Sequence, residues 1–267
     1  MKYRLICVDV DGTLLDDRKK IPELVKESLQ KAAGMGIQIA LVTGRMPAGA
    51  ELVEKELGVS CIKVCSAGTC VLIGDRCVHM DYMMPKVMQA IYMEVARRND
   101  LPLWIFQGRK WYVTAVDAYV RQEIEIIQYE PQVADVDDLA RTWEEEGSGP
   151  NKLLIVADAE TVGRIESEME AMNLPEVDMA RSAENYLEIY PRGVTKGEAL
   201  AAVCGKLGIR LEETIAFGDQ DLDIPMIRKA GLGIAMGNAI DEVKEAADYV
   251  TRSNNDAGIA YALERFL

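Results

Sequence analysis

Apolar residues recur in two rhythms along this chain of 267 residues. From residue 4 to about 75, short runs rich in branched side chains (RLICV, IQIALV, CIKVC) alternate with stretches whose apolar positions return every three or four residues (PELVKESLQKAAGMG, PAGAELVEKELG). The runs predict buried strands and the stretches amphipathic helices. Their alternation predicts βαβ units and a parallel sheet. Pro22 suits a first helical turn, and Gly34 or Gly36 a helix end. After Pro191 the rhythm returns, with helices over TKGEALAAVCGKLG, DIPMIRKAG, AIDEVKEAA and DAGIAYALERF and strands over TIAFGD, GLGIAM and DYVT.

Between about 81 and 190 the pattern differs. A helical stretch (PKVMQAIYMEVARRN) leads into LPLWIFQGRKWYVTA, whose two aromatic-rich runs flank Gln107-Gly108-Arg109-Lys110 and predict a hairpin. A second helical stretch, a strand (NKLLIVAD), a helix (ETVGRIESEMEAMN) and a second hairpin (VDMARSAENYLEIYP) follow. The expectation is an α/β protein with a parallel-sheet core over 1–81 and 191–267 and an inserted α+β domain over 82–190. Pro85, Pro191 and Gly193 at the two crossings read as short linkers that permit hinge motion. Trp104, Phe106, Trp111, Tyr112, Trp143, Tyr186 and Tyr190 all fall in the insert, where filling a small core is the plain reading.

Composition narrows the partners. With 49% hydrophobic residues the chain can bury a core, and a net charge of −14 repels nucleic-acid phosphates and anionic membranes. A small soluble partner is expected. No run approaches the roughly 20 apolar residues of a membrane helix, and the start lacks a signal peptide's apolar stretch, so a cytoplasmic location is expected. The six cysteines form no CxxC pair and read as reduced thiols.

Four apolar runs end in polar chemistry. RLICV ends in Asp9-Val10-Asp11-Gly12-Thr13, IALV in Thr43-Gly44-Arg45, LEIYPRGV in Thr195-Lys196-Gly197, and TIAF in Gly218-Asp219 with Asp223 four residues on. Ligands of open parallel sheets bind beyond the carboxyl ends of the strands, so the four segments can meet at one edge. Residues i and i+2 of an extended chain face one side, which lets Asp9 and Asp11 share a site. Gathering Asp9, Asp11, Asp219 and Asp223 without a cation would cost several kcal/mol. The single histidine, His79, lies elsewhere, and an all-carboxylate set favours Mg²⁺ over Zn²⁺. Thr43, the amides near Gly44, and Lys196 offer donors suited to a phosphoryl group. Thr195 to Glu198 fits a capping box, which would put Lys196 at a helix N-terminus.

"DVDGTLL", "TGR", "GVTKGEAL" and "GDQDLDIPM…GLGIAMGNA" resemble the four motifs of the haloacid dehalogenase superfamily, and the insert of about 110 residues resembles that of its Cof-type sugar phosphatase branch (subfamily IIB). The resemblance implies a Rossmann-like core with a mobile cap and an Mg²⁺-dependent phosphatase acting on small phosphorylated metabolites. It makes Asp9 the nucleophile that becomes an aspartyl-phosphate, and Asp11 the acid and base. Mg²⁺ would be held by the Asp9 carboxylate, the Asp11 main-chain carbonyl and Asp219, with Asp223 as a further ligand or supporting partner. The Val10 amide, Thr43, Gly44 and Lys196 would hold phosphoryl oxygens, and Arg45 would reach substrate or cap. Leu222 stands where relatives carry a phosphate-binding asparagine, and Ser66-Ala67-Gly68-Thr69 where they often have Asn-Gly. Other readings are a phosphosugar mutase, a phosphoacceptor signalling module, and a binding protein that has lost catalysis. Arg109, Lys110, Lys152 and Arg181 are candidates for contacting an anionic substrate.

Overall fold

The structure, a computed structural model, describes residues 2–267. The chain divides into two compact units, one of residues 1–45, 50–79 and 195–267 and the other of 46–49 and 80–194. In chain order the first unit begins with β1 (Leu5–Asp9), α1 (Glu23–Gly34), β2 (Gln38–Val42), α2 (Pro47–Leu57), β3 (Cys61–Cys65), β4 (Cys70–Ile73) and β5 (Arg76–Met80). The second unit follows as α3 (Pro85–Ile91), β6 (Leu103–Gln107), β7 (Lys110–Val113), α4 (Ala118–Ile127), β8 (Gln132–Val133), α5 (Val136–Glu146), β9 (Lys152–Val156), α6 (Ala159–Met172), β10 (Val177–Ala183) and β11 (Tyr186–Pro191). The chain returns to the first unit with α7 (Lys196–Leu207), β12 (Thr214–Gly218), α8 (Ile224–Lys229), β13 (Leu232–Ala235), α9 (Asp241–Ala246), β14 (Tyr249–Val250) and α10 (Gly258–Phe266).

The first unit's sheet runs β14-β13-β12-β1-β2-β3-β4-β5, and the pairs from β14 to β3 are all parallel. Its central strand β1 is buried along its whole length because both faces are covered. One face packs against α1 and α10 (Ile6, Val8, Leu29, Ile39, Ile259, Leu263), and the other against α7 (Leu5, Cys7, Ala40, Leu200, Val203). β4 joins β3 antiparallel, an arm that the periodicity of TCVLIGDRCVHM leaves unread because β5 is half polar and has no fully buried residue.

The second unit is a six-stranded sheet, β10-β11-β9-β6-β7-β8, antiparallel except at β7–β8. One face, with Leu103, Ile105, Tyr112, Leu153, Ile155, Leu187 and Ile189, packs on α3, α5 and α6. Trp104, Phe106, Trp111, Val113, Leu154 and Val156 alternate onto the opposite face, where Val120 and Ile127 of α4 meet them. The helical stretch predicted over 85–99 is helical throughout, but passes from α3 through a wide π turn at 92–96 to a final 3₁₀ turn. Five cysteines are buried and Cys77 is exposed. Among the described residues no helix is long and apolar enough to cross a membrane.

Candidate active site

At the carboxyl ends of β1 and β12 the first unit gathers Asp9, Asp219 and Asp223, all buried, with one carboxylate oxygen of each within 4.8 Å of the others. Lys196, at the start of α7, reaches between them. Its Nζ donates to Asp9 Oδ1 and to Asp223 Oδ1, both at 2.6 Å. The other oxygen of Asp223 accepts from the main-chain amides of Asp219 (2.9 Å) and Gln220 (3.0 Å), so this carboxylate is held from three directions. Asp219 is fixed by the Thr13 hydroxyl at 2.6 Å and the Gln220 side-chain amide at 3.0 Å.

The local backbone explains the glycines. Gly12 has φ +86°, and a Cβ there would run into the Asp219 carboxylate; a Cβ on Gly218 would run into Asp223. Only glycine allows the turns after β1 and β12 to approach the acids this closely. Asn238 closes the edge, donating at 2.8 Å to the Gly12 carbonyl while its own oxygen accepts from the Asn254 amide at 2.9 Å.

The charges do not balance: three carboxylates face one ammonium. Burial foremost, and then the charge of Asp223, push Asp9 well above the usual carboxylate range against the pull of Lys196. Burial likewise raises Asp219. Burial works to lower Lys196, but Asp223 and Asp9 outweigh it and hold the ammonium protonated.

A family model described as haloacid dehalogenase-like hydrolase matches residues 6–263. The chain belongs to this family. YxeH of Bacillus subtilis is 30% identical over 276 aligned residues, covering 99% of this chain and 98% of its own. The B. subtilis 5-amino-6-(5-phospho-D-ribitylamino)uracil phosphatase YcsE is 26% identical, covering 99% and 96%. A solved haloacid dehalogenase-like hydrolase from Bacteroides thetaiotaomicron superposes with a TM-score of 0.87 at 30% identity over the whole of both chains. The motifs and these likenesses together put the chain on the Cof-type branch, with the α/β fold its sequence implied.

In this haloacid dehalogenase-like chain Asp11 stands apart from the buried acids, its side chain 42% exposed. Arg45 grips it with two bonds of 2.8 Å, from Nε and Nη2, and Lys19 adds a third at 3.0 Å. Burial alone would raise Asp11, but the hydrogen bonds and charges of Arg45 and Lys19 prevail and hold it below the usual range. Val10 is buried between the two acids, Thr43 is buried just beyond β2 with its hydroxyl accepting from the Arg45 amide at 3.1 Å, and Gly44 lies in the bend between them. Thr195 caps α7 by accepting from the Glu198 amide at 3.2 Å. The reciprocal half of the expected capping box is replaced by an ion pair, Lys229 to Glu198 at 2.6 Å.

Leu222 lies half-buried in the turn Asp221–Asp223 and joins none of the hydrophobic clusters. Thr13, Lys19, Gln220 and Asn238 are site residues to which the sequence reading gave no role. Thr13, Gln220 and Asn238 lie inside the quoted motifs, which was the available signal. Lys19 owes its reach to a left-handed backbone (φ +59°) that no motif encodes. Of the proposed anion contacts, Lys152 is buried against Glu188 and Arg181 pairs with Glu166, while Lys110 is exposed.

Proposed function

We propose that this protein is an Mg²⁺-dependent phosphatase of small phosphorylated metabolites, sugar phosphates and similar monoesters, working through an aspartyl-phosphate on Asp9. The observation that carries the reading is the charge imbalance at the strand ends, three buried carboxylates around one lysine. Like charges about 4 Å apart repel by roughly 4 kcal/mol per pair at the effective dielectric of a protein. An oxygen-only donor set of this kind fits a hard divalent cation. The Asp9 and Asp219 carboxylates and the Asp11 main-chain carbonyl would hold it, with Asp223 as further ligand or support. When bound, Mg²⁺ supplies a positive charge that offsets the developing charge on the phosphoryl oxygens.

Asp9 attacks phosphorus, forming a carboxylate–phosphorus bond as the bond to the alcohol oxygen breaks, and Asp11 gives that oxygen its proton. Water then attacks the same phosphorus, Asp11 takes the water's proton, and inorganic phosphate leaves with Asp9 restored. Lys196, the Thr43 hydroxyl, and the Val10 and Gly44 amides would steady the phosphoryl oxygens. The grip of Arg45 and Lys19 keeps Asp11 ionised, the form that the second half requires. A phosphoryl group that draws either cation to itself would free Asp11 to carry the proton that the first half requires. YcsE, named for a phosphorylated ribityl compound, supports a hydroxylated monoester as substrate.

The test is phosphate release from a panel of sugar monophosphates with Mg²⁺. The Asp9→Asn variant is expected to fold normally and to turn over at less than about 10⁻³ of the native rate, because an amide cannot serve as the nucleophile. Native-like hydrolysis by Asp9→Asn would overturn the covalent route.

A further inference from the structure

Helix α1 of the first unit has two faces. Val25, Leu29 and Ala32 are buried in the core that also holds Ile259 and Leu263 of α10. Leu24, Glu27, Ser28, Lys31 and Met35 return at three- and four-residue spacing on the other side, and at 3.6 residues per turn they span an arc of about 100°. This second stripe borders a groove of about 450 Å³ between α1 and α10, which lies wholly within the first unit. Small side chains, Ala32, Ala257 and Ala260, line it together with Tyr261 and Leu267. Eleven large apolar side chains stand exposed among the described residues, and four of them (Leu24, Met35, Tyr261 and Leu267) are gathered on this one groove. Apolar side chains exposed singly need no explanation, but a cluster rimmed by polar residues marks an interaction surface.

The charges on the stripe decide what covers it. Glu27 and Lys31 lie one turn apart and exposed, and among the described residues neither side chain makes a hydrogen bond or ion pair. A small ion bound here would meet the wrong sign within one turn. A helix running antiparallel to α1 meets both correctly, provided it carries a lysine opposite Glu27 and a glutamate opposite Lys31. α1 is itself such a helix. A two-fold axis crossing α1 at the level of residue 29 sets Glu27 against Lys31 of a second copy and Lys31 against its Glu27. The same axis sets Leu24 against Met35 at both ends, contacts about 17 Å apart along the helix at 1.5 Å per residue. With a net charge of −14, two copies repel at long range, so their contact needs a face whose charges match locally.

We propose that α1 and its groove against α10 form the interface of a two-fold homodimer, in which α1 packs antiparallel on α1 of a second copy. Leu24 and Met35 supply apolar contact, and the crossed pairs of Glu27 and Lys31 fix the register, the usual part of charges at an interface. The interface does not depend on the phosphatase reading.

Analytical ultracentrifugation of the full chain across the micromolar range tests it, on the native protein, Glu27→Lys, Lys31→Glu and the double variant carrying both changes. Both positions are exposed, so each variant should fold with a melting temperature near native. Each single change turns two attractions into two repulsions and should raise the dimer Kd about tenfold or more. The double variant rebuilds both pairs with their signs exchanged and should bring Kd back to within about threefold of native. That recovery requires residue 27 of one copy to meet residue 31 of the other. Leu24→Asp, which strikes both apolar ends at once, should also raise Kd about tenfold or more. A native chain that stays monomeric throughout overturns the proposal and leaves the groove to another occupant. A dimer unmoved by the single variants, or one that the double variant fails to restore, overturns this interface.

Discussion

Each unit buries a lysine among acidic side chains, and the two clusters are incomplete in different ways. Around Lys196 there are three carboxylates, and the deficit is positive charge. Lys152 pairs with Glu188, and there the deficit is in hydrogen bonding, since the second oxygen of Glu188 is buried with no partner among the described residues. The first kind is relieved by a cation; the second, whose carboxylate already has its ammonium, gains nothing from one. A buried ion pair therefore says little until its charge and its lone pairs have both been counted.

The largest expected effect tests the limits of the first cluster. Asp11 lies two residues from Asp9 yet is half-exposed and held by Arg45 and Lys19 rather than by Lys196. Asp11→Asn keeps the main-chain carbonyl and removes the proton carrier, so hydrolysis should fall roughly 10²- to 10⁴-fold while Mg²⁺ affinity, measured by calorimetry, stays near native. A collapse of Mg²⁺ binding would place the Asp11 carboxylate inside the metal-binding set and erase the distinction drawn here.

Next come the two lysines themselves. Lys196→Met and Lys152→Met each break a buried pair and should each destabilise by about 3 to 5 kcal/mol. Mg²⁺ separates them. At a concentration of about 100 Kd it adds roughly 2.7 kcal/mol to any chain with an intact site, the native protein and Lys152→Met alike, and at that same Mg²⁺ concentration Lys196→Met, with its larger charge deficit, should gain more. Equal responses to Mg²⁺ in the two variants would show that charge deficit is not what distinguishes the clusters.

A smaller effect is expected at Leu222. It belongs to no hydrophobic cluster, so an amide at this position need not be buried in apolar surroundings. Asparagine there would offer a phosphoryl oxygen a bond worth about 1.5 to 3 kcal/mol, and Leu222→Asn should raise kcat/KM about tenfold or more with little change in melting temperature. A lower melting temperature without a gain in activity would mean that this turn does not approach the phosphate.

The same contrast explains what was legible in the sequence. The acids at the ends of β1 and β12 stand out because each closes an unbroken apolar run, and a charge at such a boundary has no structural reason to be there. Glu188 and Lys152 also lie in apolar strands, NYLEIYP and NKLLIVAD, but both faces of their sheet are covered. A charged residue at an alternating position then looks like the solvent face of a half-buried strand, and Lys152 reads from the sequence as a candidate contact for an anionic substrate. β5 was missed for the opposite reason, since a strand with this much exposure has no apolar period to detect. The pairing of Arg45 with Asp11 depends on two loops meeting, and neither pattern nor propensity encodes that.

The smallest effect concerns the loop that borders the acid edge. Ser66 and Ala67 take successive left-handed conformations, φ +49° and +56°, before Gly68 at φ +112°. Their amides donate to the carbonyls of Arg45 (2.9 Å) and Thr43 (3.0 Å), so the strained backbone is tied to the segment that carries two of the proposed phosphate contacts. A Cβ in the left-handed region costs roughly 1 to 2 kcal/mol. Ala67→Gly removes that cost but gives the unfolded chain back about 0.4 to 1 kcal/mol of freedom. The balance should stabilise by about 0.5 to 1 kcal/mol, a rise of roughly 1 to 4 °C in melting temperature. Strain held next to a reacting group commonly serves to fix its position, so kcat in the stabilised variant should fall rather than rise. A lower melting temperature in Ala67→Gly would show that this loop is held by its contacts alone and that Ala67 carries no strain to release.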